Sequence, residues 1–341
     1  KHAKFVSFTE VGAQTAAKAA RLLPDFLCER YARAVDLSLS NTSLPRFAQQ
    51  AMVDCDLIVF VGAAGIAVRA AAPYLAGKAY DPAVVVIDEQ GRFVIPLLSG
   101  HLGGANDLAR RLAKACGAVP VITTATDANG VFAVDEWAKH QHCLVVEPAR
   151  IRKVSSALLA GRTVRFASDW PIQGTPPAGV EPAGDAAQAS FALTITPTMT
   201  SNALHIIPRI AVLGIGCKRG TPADKLADAF AAFCAETKLA PQSIAAAASI
   251  DLKKDELGLA EFGQKQGWLV TFYTADELRA VPGQFAHSDF VQSITGVDNV
   301  CERAAVLAAG GPLVFHKFAR TGVTFALAVR PFAPDWRWQH V

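Results

Sequence analysis

The chain has 341 residues, of which 51% are hydrophobic and 18% charged, with a formal net charge of +3. That is enough apolar sequence for two or three packed domains, which excludes disorder. No Lys/Arg tract marks a nucleic-acid surface, and the slight positive surplus suits a small polyanionic ligand. Seven scattered cysteines without a CxxC pair read as reduced thiols in the cytoplasm. No charged-then-apolar signal segment is seen. The most apolar stretch, residues 56–77, is broken by Arg69 and Pro73 and reads as strand plus helix, not as a membrane span.

In chain order, Lys4–Thr9 is predicted as a strand and Val11–Leu23 as an Ala-rich helix. Leu57–Val61 is a continuous apolar run, expected of a strand buried on both faces, and Gly65–Ala76 follows as helix. Val84–Ile87 and Phe93–Leu98 flank a hairpin turn at Asp88-Glu89-Gln90-Gly91. Gly103–Cys116 is a helix stopped by Gly117, Val119–Thr124 a strand, and Val131–His140 a helix. Glu147–Ala160 reads as helix, Thr163–Ala167 and Phe191–Thr196 as strands, and residues 169–189 as loop.

A second α/β unit starts with strand Ile210–Leu213, a glycine loop from Gly214 to Gly220, and a helix with Thr221 as N-cap and Pro222 at N1. Strands Ser243–Ile250 and Trp268–Tyr273 follow, the latter leading to an N-cap at Thr274. Helix Val297–Ala309 and a hairpin of Leu313–Arg320 with Val323–Val329 complete it. The fold class is therefore α/β: an N-terminal domain (1–142), a smaller middle segment (143–207) and a C-terminal domain (208–333), with largely parallel, helix-covered sheets.

Several motifs sit where strands meet helices. Gly62 and Gly65 let a backbone approach a ligand, with Arg69 beyond them; a plain βα turn explains them as well. In Ser99-Gly100-His101-Leu102-Gly103-Gly104-Ala105-Asn106-Asp107, a histidine lies between glycines at the end of a strand, a usual ligand crevice in parallel sheets. Asp107 fits either the helix dipole or catalysis. Thr126 and Asp127, after the next strand, are helix caps, partners of His101, or both.

The spacing of Gly214, Gly216 and Gly220 suits a phosphate or carboxylate, with Lys218, Arg219, Lys253 and Lys254 as cations beside Asp251. Cys217 is a candidate nucleophile if a helix N-terminus lowers its pKa. Thr295 and Gly296 form a turn into a helix, either structural or ligand-binding. Histidines 101, 140, 142, 205, 287, 316 and 340 show no HxxxH or HExxH, so no protein-bound metal is expected. His140 and His142 are expected to face solvent.

Residues 61–75 (VGAAGIAVRAAAPYL), 95–113 (IPLLSGHLGGANDLARRLA) and 121–138 (VITTATDANGVFAVDEWA) resemble the N-terminal region of the cobalt-precorrin-5A hydrolases. Residues 212–222 (VLGIGCKRGTP), 249–259 (SIDLKKDELGL) and 295–305 (TGVDNVCERAA) resemble the same family's C-terminal domain, which is also similar to a stand-alone protein of aerobic cobalamin synthesis. The resemblance spans essentially the whole chain. It implies opening of a δ-lactone on a cobalt-loaded corrin precursor and loss of carbon C20 with its methyl as acetaldehyde. Cobalt then travels with the substrate, and the partners are the tetrapyrrole and other enzymes of the pathway, without nucleic acid or membrane; an oligomer fits equally.

On that reading His101 is the expected general base, oriented by Asp127 or Asp107. The turns at 62–65 and 100–104 supply oxyanion donors, with Ser99 and Asn106 beside them. The cations hold the acetate and propionate arms, and the macrocycle is expected between the two α/β units. A non-catalytic corrinoid carrier and a nucleotide-dependent enzyme are the competing readings.

Overall fold

The computed structural model describes residues 1–32, 43–77, 80–197 and 202–338. His340 lies outside them. The chain divides into two compact units, Lys1–Glu136 with Trp338, and Trp137–Arg337.

In the first unit β1 (His2–Ser7), β2 (Leu27–Ala32), β3 (Leu57–Val61), β4 (Ala83–Ile87), β5 (Phe93–Leu98) and β6 (Val119–Pro120) form one sheet, in the order β2-β1-β3-β4-β5-β6. Its helices are α1 (Glu10–Ala20), α2 (Leu44–Asp54), α3 (Ala64–Ala71), α4 (Ala105–Cys116), the short α5 (Ala125–Asn129) and the start of α6 (Val134–His140). Every residue of β3 and β4 is buried, as continuous apolar runs predict. Leu57, Val59 and Val61 pack with Ala16, Ala19 and Leu112 of α1 and α4. Ile58 and Phe60 point the other way, to Phe47, Ala51 and Ala67 of α2 and α3. The period-2 alternation of side chains thus feeds two cores, one on each face.

One strand runs against the rest. β5 pairs antiparallel with β4, whereas β1, β3, β4 and the pair β5–β6 are parallel to their other neighbours. Register shows the consequence: Val61 lies level with Ile87, and Ile87 with Val94, while Leu98 lies opposite Val84. The carboxyl end of β5 therefore sits at the amino end of β3 and β4. The Gly62–Gly65 and Gly100–Gly104 turns, both expected to supply oxyanion donors, thus occupy opposite ends of the sheet.

The second unit holds two sheets. The middle segment is a five-stranded sheet of its own: β7 (Cys143–Val145), β8 (Val164–Ser168), β9 (Val180–Pro182), β10 (Phe191–Leu193) and β11 (Leu204–Pro208), with α7 (Pro148–Leu159), in the order β7-β11-β10-β8-β9. The stretch expected as loop contains β9, a three-residue edge strand too short to read through its Pro and Gly. The other sheet is β12 (Ala211–Cys217), β13 (Ile244–Ile250), β14 (Val270–Tyr273), β15 (Leu313–Arg320) and β16 (Val323–Val329), in the order β14-β13-β12-β16-β15. Its helices are α8 (Ala223–Thr237), α9 (Leu257–Gln266), α10 (Ala275–Arg279), α11 (Asp289–Thr295) and α12 (Val300–Ala309). Phe230, Phe233, Phe262, Trp268 and Phe325 make its aromatic core. The largely parallel, helix-covered α/β architecture is as expected.

Two local expectations fail. Thr221 does not cap α8: its hydroxyl donates to the Lys218 carbonyl, and Pro222 takes the N-cap position with extended backbone. Nor do Gly214 and Gly216 open a loop, since β12 runs straight through them to Cys217. A Cβ on Gly214 would stand 1.8 Å from the Cys301 carbonyl oxygen, and one on Gly216 2.4 Å from the Thr324 hydroxyl. These glycines let α12 and β16 lie close against β12. Gly214→Ala is expected to cost about 1–3 kcal/mol of unfolding free energy through overpacking. Gly220→Ala meets open space at φ +71° and should cost about 1–2 kcal/mol from left-handed backbone alone. Urea midpoints of the two variants check this.

Candidate active site

The turn after β5 is tight and its glycines are structural. Ser99 holds φ 55°, a left-handed conformation uncommon for serine, and its hydroxyl donates to the Asp81 carbonyl at 2.9 Å. A Cβ on Gly103 would lie 2.4 Å from the Ser99 Cβ, and one on Gly100 2.8 Å from Asn106 Oδ1. The N–H groups of Gly104, Ala105 and Asn106 donate to the carbonyls of His101, Ser99 and Gly100 at 2.9, 3.1 and 2.9 Å. Among the described residues, the N–H groups of His101, Leu102 and Gly103 carry no hydrogen bond within the chain.

This turn delivers His101 into a ring of carboxylates. Nε2 lies 2.9 Å from Asp127 Oδ2, and Nδ1 lies 3.1 and 3.2 Å from the two Asp135 oxygens. The side chains of His101, Asp127 and Asp135 are each 9% exposed. Asn106, only 2% exposed, donates through Nδ2 to the Thr124 hydroxyl at 2.7 Å and to Asp127 Oδ2 at 3.1 Å. Arg110, one turn along α4, donates to Asp127 Oδ1, to Asp107 at 3.3 Å and to Glu136 Oε1 at 3.4 Å. Glu136 is 1% exposed, and its Oε2 has no hydrogen-bond partner.

The electrostatics follow from this crowding. Burial disfavours the charged imidazole, but hydrogen bonds to Asp127 and Asp135 and the charges of Asp135 and Glu136 outweigh it, raising His101 to about 10. Burial also opposes charge on Asp127, yet bonds with His101 and Thr124 and the charges of His101 and Arg110 bring it down to about 2. Burial pushes Glu136 up to about 7; Asp107 and Asp127 add to that, while His101 and Arg110 oppose it. With both nitrogens facing carboxylates, His101 holds no free lone pair in the chain alone. Of the two acids expected to orient His101, Asp127 is the one at the ring, its Oδ2 facing Nε2.

The structure thus joins His101, Asp127, Asn106 and Thr126, whose hydroxyl is 3.5 Å from Nε2. Asp107 is engaged by Arg110, not by the imidazole. Asp135, Glu136 and Arg110 went unread in the sequence, although a pair of acids inside Phe132-Ala133-Val134-Asp135-Glu136-Trp137-Ala138 signals buried charge.

The remaining predicted residues lie elsewhere. Gly62 donates its N–H to Ile87 O at 2.8 Å, which takes that donor from a ligand, and the exposed Arg69 donates one N–H to Gly65 O at 3.0 Å. Glu256 accepts from Gly220 N–H at 2.7 Å and pairs with Lys253 at 3.3 Å and Arg219 at 3.8 Å, so a carboxylate of the chain occupies the loop meant for an anion. Lys254 is exposed, Asp251 is half-buried in the turn after β13, and the Lys218 stem packs on Gly322. Cys217 ends a strand instead of opening a helix, and burial pushes its thiol pKa up. Thr295 bonds within its own turn, and Gly296 is the C-cap of α11. His142 is exposed, but His140 is half-buried.

Residues 46–127, which include His101 and Asp127, match the family model described as Cobalamin synthesis G N-terminal, and residues 211–328 match Cobalamin synthesis G C-terminus. Both ends of the chain thus carry the domains of a cobalamin-synthesis protein. The chain is 36% identical over 296 residues to the cobalt-precorrin-5A hydrolase of Salmonella typhimurium, covering 83% of this chain and 84% of that protein. It is 33% identical over 295 residues to the cobalt-precorrin-5A hydrolase of Priestia megaterium, covering 81% and 79%. It belongs to the cobalt-precorrin-5A hydrolase family. Its C-terminal third is also similar to Protein CobE of a Sinorhizobium species, 32% identical over 120 residues, 34% of this chain and 78% of that one.

Asn106→Ala strips a donor from both Thr124 and Asp127. It is expected to lower unfolding free energy by about 1–3 kcal/mol, measured by urea denaturation at neutral pH.

Proposed function

We propose that the chain opens the δ-lactone of cobalt-precorrin-5A and releases the two-carbon unit as acetaldehyde. The observation that carries this is the 33–36% identity over about four-fifths of the chain to two cobalt-precorrin-5A hydrolases. The buried His101 cluster supports the chemistry. Water adds to the lactone carbonyl and passes its proton to Asp127, while Asp135 holds the cationic ring by Nδ1. The N–H groups of His101, Leu102 and Gly103 are the donors available to the developing oxyanion. Collapse breaks the C–O bond, and Asp127 returns the proton to the C20 alkoxide. In the second step the C20 hydroxyl loses its proton, the C–C bond breaks, and its electron pair passes into the cobalt-corrin ring as acetaldehyde leaves.

The exposed cations Arg219 and Lys254 are candidates for the substrate's acetate and propionate arms. Seven free cysteines fit a reducing compartment, the cytoplasm. Among the described residues no helix is long and apolar enough to cross a membrane. An intermediate this reactive favours direct hand-over between enzymes of the pathway.

Incubation with cobalt-precorrin-5A should yield one acetaldehyde per turnover, assayed with alcohol dehydrogenase and NADH. His101→Ala should cut kcat by about 10²–10⁴-fold; full acetaldehyde release by that variant would remove the cluster from the mechanism. An Arg219→Ala/Lys254→Ala double variant should raise KM several-fold with kcat little changed, as loss of uniform binding does.

A further inference from the structure

Charge in the His101 cluster does not balance. Three carboxylates, Asp127, Asp135 and Glu136, face one guanidinium and one imidazole. Buried excess charge of one sign is costly unless a counter-ion joins it. Independently, Glu136 Oε2 is buried without any partner, and unsatisfied buried carboxylate oxygens are rare in native proteins. Donor atoms of His101, Asp127 and Glu136 lie within 4.8 Å of one another.

From this geometry we infer that His101, Asp127 and Glu136 form a binding site for a divalent first-row transition-metal ion. Each ligand already has an outer partner of the kind metal sites use. Asp135 holds His101 Nδ1, which leaves Nε2 for the ion; Arg110 holds Asp127 Oδ1 and Glu136 Oε1; Asn106 steadies Asp127 Oδ2. The 2.9 Å separation of Nε2 and Oδ2 equals a ligand–ligand edge, which in a six-coordinate shell at about 2.1 Å is about 3 Å. One imidazole and two carboxylates suit zinc, manganese or iron(II) rather than a soft ion. No HxxxH or HExxH marks the site, because its donors come from the β5–α4 turn, α5 and α6.

This inference concerns binding and stands apart from the substrate assignment. An ion there would polarise the attacking water itself, and His101 would serve as ligand instead of proton partner. The full chain, stripped with chelator, is titrated with Mn²⁺, which the seven thiols bind poorly, and followed by electron paramagnetic resonance and calorimetry. One Mn²⁺ per chain is expected, with a higher melting temperature. Glu136→Gln, which keeps the shape and removes the buried charge, should weaken binding at least about tenfold. Asp127→Asn should do the same, and Glu256→Gln, in the second unit, should not. Absence of stoichiometric binding, or affinity unchanged from the unmodified chain in Glu136→Gln and Asp127→Asn, overturns the site. Should one of these variants fail to fold, the other, with the unmodified chain's resonance spectrum, decides. Acetaldehyde release by chain that binds no metal refutes the metal site alone; metal binding without acetaldehyde release refutes the substrate assignment alone.

Discussion

The first unit is organised around a buried imidazole that two carboxylates grip from opposite sides. Glycines shape the approach: Gly103 and Gly100 permit the backbone to fold against Ser99 and Asn106, and the strained Ser99 is tied to Asp81. Strain of this kind persists only where surrounding bonds over-determine it. Here those bonds hold His101 between Asp127 and Asp135, and they keep neighbouring N–H groups clear of intrachain acceptors.

The second unit uses its glycines for another purpose. Gly214 and Gly216 sit inside a strand, under a crossing helix and beside a neighbouring strand, where any Cβ would collide. The cations around them answer to Glu256. A glycine pattern followed by lysine and arginine is therefore compatible with pure packing plus an internal ion pair.

Much of this was legible from residue order. His101 stood out because glycines, not an apolar period, surround it; Asp127 was expected just past a strand, and the structure ends that strand at Pro120 and puts Asp127 in α5. Alternating runs announced most strands, including the continuous apolar β3 and β4. Three things were not legible. Gly214 in a strand looks the same on paper as Gly214 in a turn until the partner helix is known. Asp135 and Glu136 look like ordinary first-turn acids, since a helix N-terminus welcomes carboxylates wherever it lies. β2, with Glu29 and Arg30, is polar as edge strands are, and so carries no hydrophobic signal.

The reversal of β5 has a kinetic side. A parallel strand must wait for a long crossover, whereas β5 returns from β4 through a tight hairpin. Among the described residues, the side chains hydrogen-bonded to the imidazole lie within the stretch from His101 to Asp135. Bringing these groups together closes shorter loops than the pairing of β1 with β3, so the chain can assemble them before that pairing is made.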